Sequence, residues 1–237
     1  MTTLAKSASR RLTCPVCERP SSACICQWIR PVVHTVEVLV LQHPLEVAHP
    51  KGSARLLHLS LPGSRLVVGE TFAPALLDSL LTSPFTLPTA GEIASPRQAL
   101  LLYPDGAASL AGSRGDDCSA SLSMDLPMLP SPAQLRLVVL DGTWRKSRKM
   151  LHCNPQLAQL PRLSLHNLPR SRYRIRKAHR PDQLSTLEAV CAALVQLEGG
   201  CTNRFDGLME AFDGFVALQV ERMRLGGIGR QTQTRLR

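Results

Sequence analysis

Four cysteines stand within thirteen positions near the start of the chain, as Cys14-Pro-Val-Cys17 and Cys24-Ile-Cys26. Thiolates at these spacings can converge tetrahedrally on Zn2+, and the six residues between the two pairs are enough to turn the backbone around. Four thiolates leave no open position for water, which makes the expected zinc structural rather than catalytic. The Cys-x-Cys pair is tighter than in common zinc ribbons, so an iron–sulfur cluster or plain reduced thiols remain as alternatives. Cys118, Cys153, Cys191 and Cys201 are scattered, and a chain of this size without export signals does not suggest a disulfide framework.

A second reactive cluster follows the expected strand Leu135–Leu140, which ends at Asp141-Gly142-Thr143-Trp144. An acid just past the carboxyl end of a buried strand sits where open α/β sheets bind ligands. Gly142 permits close backbone approach, and a helix beginning at Thr143 or Trp144 offers unpaired amides to an anion. Trp144, one of two tryptophans, could lie against a flat base or a cation. The plainer reading makes Asp141 a helix N-terminal anion and Trp144 a core filler. His43 also follows a strand end, beside Glu46, with His49 and Lys51 nearby; this is acid/base machinery or a structural Gln-His-Pro turn. Glu188 has a simpler role in a capping box, Ser185-Thr186-Leu187-Glu188.

The elements that must position these groups follow from hydrophobic periodicity. Strands are expected over Val36–Leu41, Leu66–Val68, Gln98–Tyr103 and Leu135–Leu140, with shorter ones at Arg162–Leu165 and Tyr173–Arg176. Helices are expected over Pro74–Leu81, from Thr143 or Trp144, over Leu184–Leu197 and over Phe205–Arg224, with a frayed basic tail beyond. Alternating strands and helices indicate an α/β fold around a mostly parallel sheet. Residues 1–30 read as a small cysteine knuckle and 31–237 as the main domain. The Ala/Ser/Gly/Asp/Pro-rich stretch at about 105–132 reads as a flexible insertion.

The chain of 237 residues carries 28 Lys+Arg against 18 Asp+Glu, a formal charge of +10. Between Gly142 and Arg180 there are eleven Lys/Arg and no acid. Such a window suits a polyanion, most commonly a phosphate backbone. Arg145, Arg148, Lys149, Arg172, Arg174, Arg176 and Lys177 are the expected RNA contacts, with Tyr173 available for stacking. The competing reading is a solvated face with acidic neighbours from elsewhere in the fold. No apolar run approaches the ~20 residues of a membrane span, and no secretory signal opens the chain. A membrane-independent, cytoplasmic protein is expected, although the Ser/Arg-rich Met1–Thr13 has some transit-peptide character.

Together these residues resemble the DTW-domain family, whose Asp-x-Thr-Trp signature stands as Asp141-Gly142-Thr143-Trp144. The resemblance extends to the knuckle with Arg19-Pro20, to Leu41-Gln42-His43-Pro44-Leu45-Glu46 and to Lys51-Gly52-Ser53-Ala54-Arg55. It continues through Leu101-Leu102-Tyr103-Pro104 and Leu184-Ser185-Thr186-Leu187-Glu188-Ala189, in consistent order from residue 14 to about 197. Ser53 replaces the family's threonine-like residue, a mild departure.

The resemblance implies transfer of the 3-amino-3-carboxypropyl group from S-adenosylmethionine to N3 of a tRNA uridine, as in bacterial DTW proteins. It also implies a SPOUT-like fold with a C-terminal trefoil knot, which periodicity alone would not suggest. Asp141 is then the expected general base. The expected donor pocket is formed by Gln42, His43, Ser53, Leu102, Tyr103, Leu140, Gly142, Trp144, Ser185 and Thr186. A SPOUT-like RNA methyltransferase and a non-catalytic zinc-containing RNA-binding module are the competing readings. The sequence is compatible with a monomer or a homodimer.

Overall fold

A computed structural model of the chain describes residues 12–86, 95–104, 130–165, 171–173, 184–199 and 202–234, with backbone only at 202 and 225–234. Among the described residues, five strands form one all-parallel sheet: β1 (Glu37–Gln42), β2 (Ser64–Val68), β3 (Gln98–Leu102), β4 (Leu135–Asp141) and β5 (Arg162–Leu163), in the order β2-β1-β4-β3-β5. β1 is buried along its whole length, as a central parallel strand covered on both faces must be, and this explains its unbroken apolar run.

Alternate side chains of the central strands enter two apolar clusters, as the two-residue strand period requires. Val38, Val40, Leu137 and Val139 pack with helices α1 (Ala54–Ser60), α5 (Thr186–Glu198) and α6 (Asp206–Thr234). Leu39, Leu41 and Val138 face the other way, onto α2 (Pro74–Thr82), α3 (Trp144–Cys153) and α4 (Pro155–Ala158). From β1 the chain crosses through α1 to β2 on one side. From β4 it crosses through α3 and α4 to β5 on the other. The connections therefore diverge between β1 and β4, the place where an open α/β sheet leaves a crevice at its carboxyl edge.

Two polar pairs bracket the β1–β4 ladder. Glu37 pairs in register with Arg136 at the start and Gln42 with Asp141 at the end. The fully buried Arg136 meets the Glu37 carboxylate, donates to the carbonyls of Leu80 and Ser83, and lies 3.8 Å from the Phe85 ring centroid. A slip of one residue would break both pairs and invert every apolar side chain between them.

The cysteine knuckle shares the larger apolar cluster, through the buried Cys17 and Ile25. Trp28 lies on α6 over Gly214, where a Cβ would meet the indole at 2.2 Å, so only glycine admits that packing.

Several expectations change in detail. α1 and α4 were not anticipated, because seven and four residues are too short to establish a helical period. The strand expected at Arg162–Leu165 shrinks to two residues, and Tyr173 lies outside any strand. α6 continues as helix to Thr234, beyond the expected fraying point. Arg174, Arg176, Lys177 and residues 105–129 of the expected insertion lie outside the described residues. Among the described residues, no helix is long and apolar enough to cross a membrane.

Candidate active site

β4 delivers Asp141 to the carboxyl edge of the sheet, 7% exposed. Its two carboxylate oxygens are held by different elements. Gln42 Nε2, from the end of β1, donates to Oδ2 at 2.8 Å. Thr186 Oγ1, from the first turn of α5, donates to Oδ1 at 2.7 Å. A carboxylate gripped at both oxygens has a fixed orientation. Gly142 follows, where any Cβ would press on Lys146 Cβ at 3.1 Å, and Thr143 caps α3 by accepting from the Lys146 amide.

An open cleft of about 340 Å3 lies beside this carboxylate, lined by Glu46, His49, Lys51, Gly52, Ser53, Asp141, Gly142, Thr143, Tyr173, Ser185 and Thr186. Of the residues expected around the donor, Ser53, Gly142, Ser185 and Thr186 line it directly. Gln42 acts from behind, through Asp141. His43, Leu102, Tyr103, Leu140 and Trp144 are outside the lining. Leu102 and Leu140 pack against the two apolar clusters. Tyr103 is buried, its hydroxyl pushed up by that burial, and it meets the half-exposed Trp144 edge-on at 5.5 Å.

His43 is a strut. Its backbone amide donates to the Asp141 carbonyl at 3.0 Å, tying the two strand ends together. The Leu45 amide donates to Nδ1, which assigns the proton to Nε2 and aims it at Glu70 Oε2, 2.8 Å away. The neighbouring Glu46 pairs instead with Lys146 at 2.7 Å. Glu70 carries no recognisable sequence signal, yet it joins His43 to Lys149. Those two partners, Lys149 foremost, hold its carboxyl below the usual value.

On the far wall, Ser185 and Glu188 complete the expected capping box at the start of α5. The same Glu188 also accepts from the Ser171 hydroxyl and the Arg172 amide, so it orders the strand-free segment 171–173. Tyr173 in that segment stacks on Phe212 at 5.6 Å and donates its hydroxyl to the Lys51 carbonyl.

Within the basic window, Arg145, Arg148 and Lys149 are exposed on α3, whose N-cap Thr143 lines the cleft. Acidic neighbours do come from other elements: Glu46 for Lys146, Glu70 for Lys149 and Asp213 for Arg172.

The four knuckle cysteines place their sulfurs within 4.8 Å of one another. Cys14 and Cys26 are 3.6 Å apart and Cys17 and Cys24 3.8 Å. Tetrahedral Zn–S bonds of about 2.3 Å separate sulfurs by about 3.8 Å, so the set fits zinc. The Cys17 and Val16 amides draw the Cys14 thiol down to about 6, while burial pushes Cys26 up to about 12.

The DTW domain family matches residues 11–220, nearly the whole length. The chain belongs to the DTW-domain family. This DTW domain is 29% identical over 196 residues to a mouse protein named tRNA-uridine aminocarboxypropyltransferase 2, covering 81% of the chain and 58% of the mouse protein. A Drosophila melanogaster protein of the same name is 30% identical over 198 residues, covering 80% of the chain and 68% of its own length. An Arabidopsis thaliana protein named tRNA-uridine aminocarboxypropyltransferase A is 30% identical over 145 residues, covering 60% and 51%. The DTW domain thus spans little more than half of the mouse and plant relatives. No solved structure matches it.

Proposed function

We propose that this chain transfers the 3-amino-3-carboxypropyl group of S-adenosylmethionine to N3 of a uridine in tRNA. The names of its relatives support that activity and substrate. The observation that carries the reading is the buried Asp141 carboxylate, held by Gln42 and Thr186 on the wall of a cleft at the β1–β4 switch point.

Uridine N3 is a weak nucleophile while it keeps its proton, so a fixed carboxylate beside it supplies what the reaction lacks in water. Asp141 takes the N3 proton. The N3–Cγ bond forms as the Cγ–S bond breaks, and the bonding pair leaves with sulfur as methylthioadenosine. The cleft's task is placement: the γ-carbon, not the methyl group, must stand in line with N3. The sulfonium loses its charge as it departs, so the walls must hold both ends of the donor without over-stabilising the cation.

In this reading the loops after β1 and β4, with Ser185 and Thr186, hold the donor. Arg145, Arg148 and Lys149 on α3, with Arg172 and its basic neighbours, engage tRNA phosphates. Cys14, Cys17, Cys24 and Cys26 hold one structural zinc, which stiffens the knuckle. The fold belongs to the SPOUT class with its C-terminal knot, and the enzyme works in the cytoplasm.

Incubation with tRNA and S-adenosylmethionine tests the reading. Methylthioadenosine and a uridine heavier by one aminocarboxypropyl group are expected. S-adenosylhomocysteine in their place would assign methyl transfer and overturn it. Salt-dependent tRNA binding without donor affinity would reduce the chain to a binding module.

A further inference from the structure

We infer that Arg19 is a positioning residue for the donor cleft, carrying the order of the cysteine knuckle into the wall formed by residues 49–53. Arg19 sits in the turn between the two cysteine pairs. The Cys14 amide donates to its carbonyl at 2.8 Å, and Glu18 before it adopts a left-handed φ of 55° that closes the turn. From that fixed base the guanidinium forks onto the wall: Nη1 donates to the Pro50 carbonyl at 3.0 Å and Nη2 to the Gly52 carbonyl at 2.9 Å. The carbonyl between them, Lys51, is taken by the Tyr173 hydroxyl. Three consecutive carbonyls of an irregular loop are thus pinned by side chains from two distant segments.

The two anchors are themselves joined. Arg19 lies 5.4 Å from the Phe215 ring centroid, Phe215 stacks near Phe212 at 6.2 Å, and Phe212 stacks on Tyr173 at 5.6 Å. A second strap runs parallel: Arg55, two residues past Ser53, donates to the Cys17 carbonyl at 3.3 Å and pairs with Glu18. His49, Lys51, Gly52, Ser53 and Tyr173 all line the cleft. An irregular loop keeps one shape only as long as such bonds hold its backbone.

The consequence separates binding from chemistry. Asp141 is oriented by Gln42 and Thr186, whereas Arg19 and Tyr173 act on the carbonyls of Pro50, Lys51 and Gly52. Loosening the wall therefore weakens donor binding and raises the donor KM, while kcat at saturation is retained. The inference rests on reading the cleft as the donor site, and its test keeps the two apart.

The test uses the full zinc-loaded chain, with metal content checked at about one per chain. Arg19→Lys retains the cation but cannot span two carbonyls, so it is not a conservative change here. Tyr173→Phe removes only the hydroxyl on Lys51. Hydrogen exchange of the His49 and Gly52 amides, which donate to the Glu46 and His49 carbonyls, is expected to rise roughly tenfold in each variant. S-adenosylmethionine is expected to bind Arg19→Lys roughly tenfold more weakly, with unchanged zinc content. Exchange at His49 and Gly52 that matches the wild type in both variants would overturn the inference. A wild-type chain that binds no S-adenosylmethionine would sink the donor reading, and the exchange data would still decide whether Arg19 orders the wall.

Discussion

Gln42 and Asp141 face each other as register partners at the carboxyl ends of β1 and β4, and the Gln42 amide donates to the Asp141 carboxylate at 2.8 Å. The strand pairing that builds the sheet therefore also aims the acid. Thr186 completes the grip from α5, an element far along the chain. Asp141 reports on the assembly of three elements at once.

Gln42→Leu keeps the side-chain volume and removes the donor. The buried Oδ2 then loses its Gln42 hydrogen bond, which costs about 1–3 kcal/mol of stability by chemical denaturation. Transfer falls by up to about 100-fold, because the carboxylate loses the Gln42 anchor that fixes its orientation. A variant with wild-type kcat would show that Gln42 does not orient the acid.

Arg136→Met tests the opposite end of the same ladder. It removes the cation opposite Glu37 in a buried setting, leaving that carboxylate with Arg97 at 3.2 Å and the Phe85 amide at 3.1 Å. The expected loss is about 3–5 kcal/mol in urea titration. Where the protein remains folded, donor affinity is expected to match the wild type, since Arg136 and Asp141 lie near opposite ends of β4.

The central strands were readable because burial on both faces writes an unbroken apolar run, as in Leu39–Leu41 and Val138–Leu140. The capping box at Ser185 and the N-cap at Thr143 were readable because caps use few residue types at fixed offsets. Asp141 stood out by its place after a strand. Its partnership with Gln42 and Thr186 did not, because register and the docking of α5 are set by long-range packing. Glu70 was invisible for the same reason: only folding brings it to His43 and Lys149. The pairing of His43 with Glu46, suggested by their closeness in sequence, gives way to Glu70 and Lys146 in space. Arg19 carries a sequence signal only within the family resemblance; its fork onto Pro50 and Gly52 spans more than thirty residues.

The Glu70 network predicts a pH-dependent contribution. Lys149 and then His43 hold its carboxyl below the usual value. A group whose folded pKa lies below its unfolded one adds stability above the unfolded value and loses it as pH falls through the folded one. The stability gap between wild type and Glu70→Gln is therefore expected to stay constant from neutral pH down to about 5 and to close on further acidification. Thermal melts across that range measure it; a gap indifferent to acid would contradict the assignment.

Arg145 and Arg148 are exposed on α3, whose N-cap Thr143 lines the cleft. Replacing both with alanine is expected to weaken tRNA binding and to reduce the slope of log K against log salt by up to about two. Filter binding at several salt concentrations reads both quantities. An unchanged slope would make that surface an ordinary solvated face.

The most direct test is Asp141→Asn. The amide has nearly the same shape, its oxygen can still accept from Gln42, and the Thr186 hydroxyl can turn to accept from its nitrogen, so the site should remain assembled. Single-turnover transfer from S-adenosylmethionine to tRNA is expected to fall by about 100-fold or more, with tRNA and donor affinities within about twofold of the wild type. Transfer at the wild-type rate in a folded Asp141→Asn protein would contradict the account.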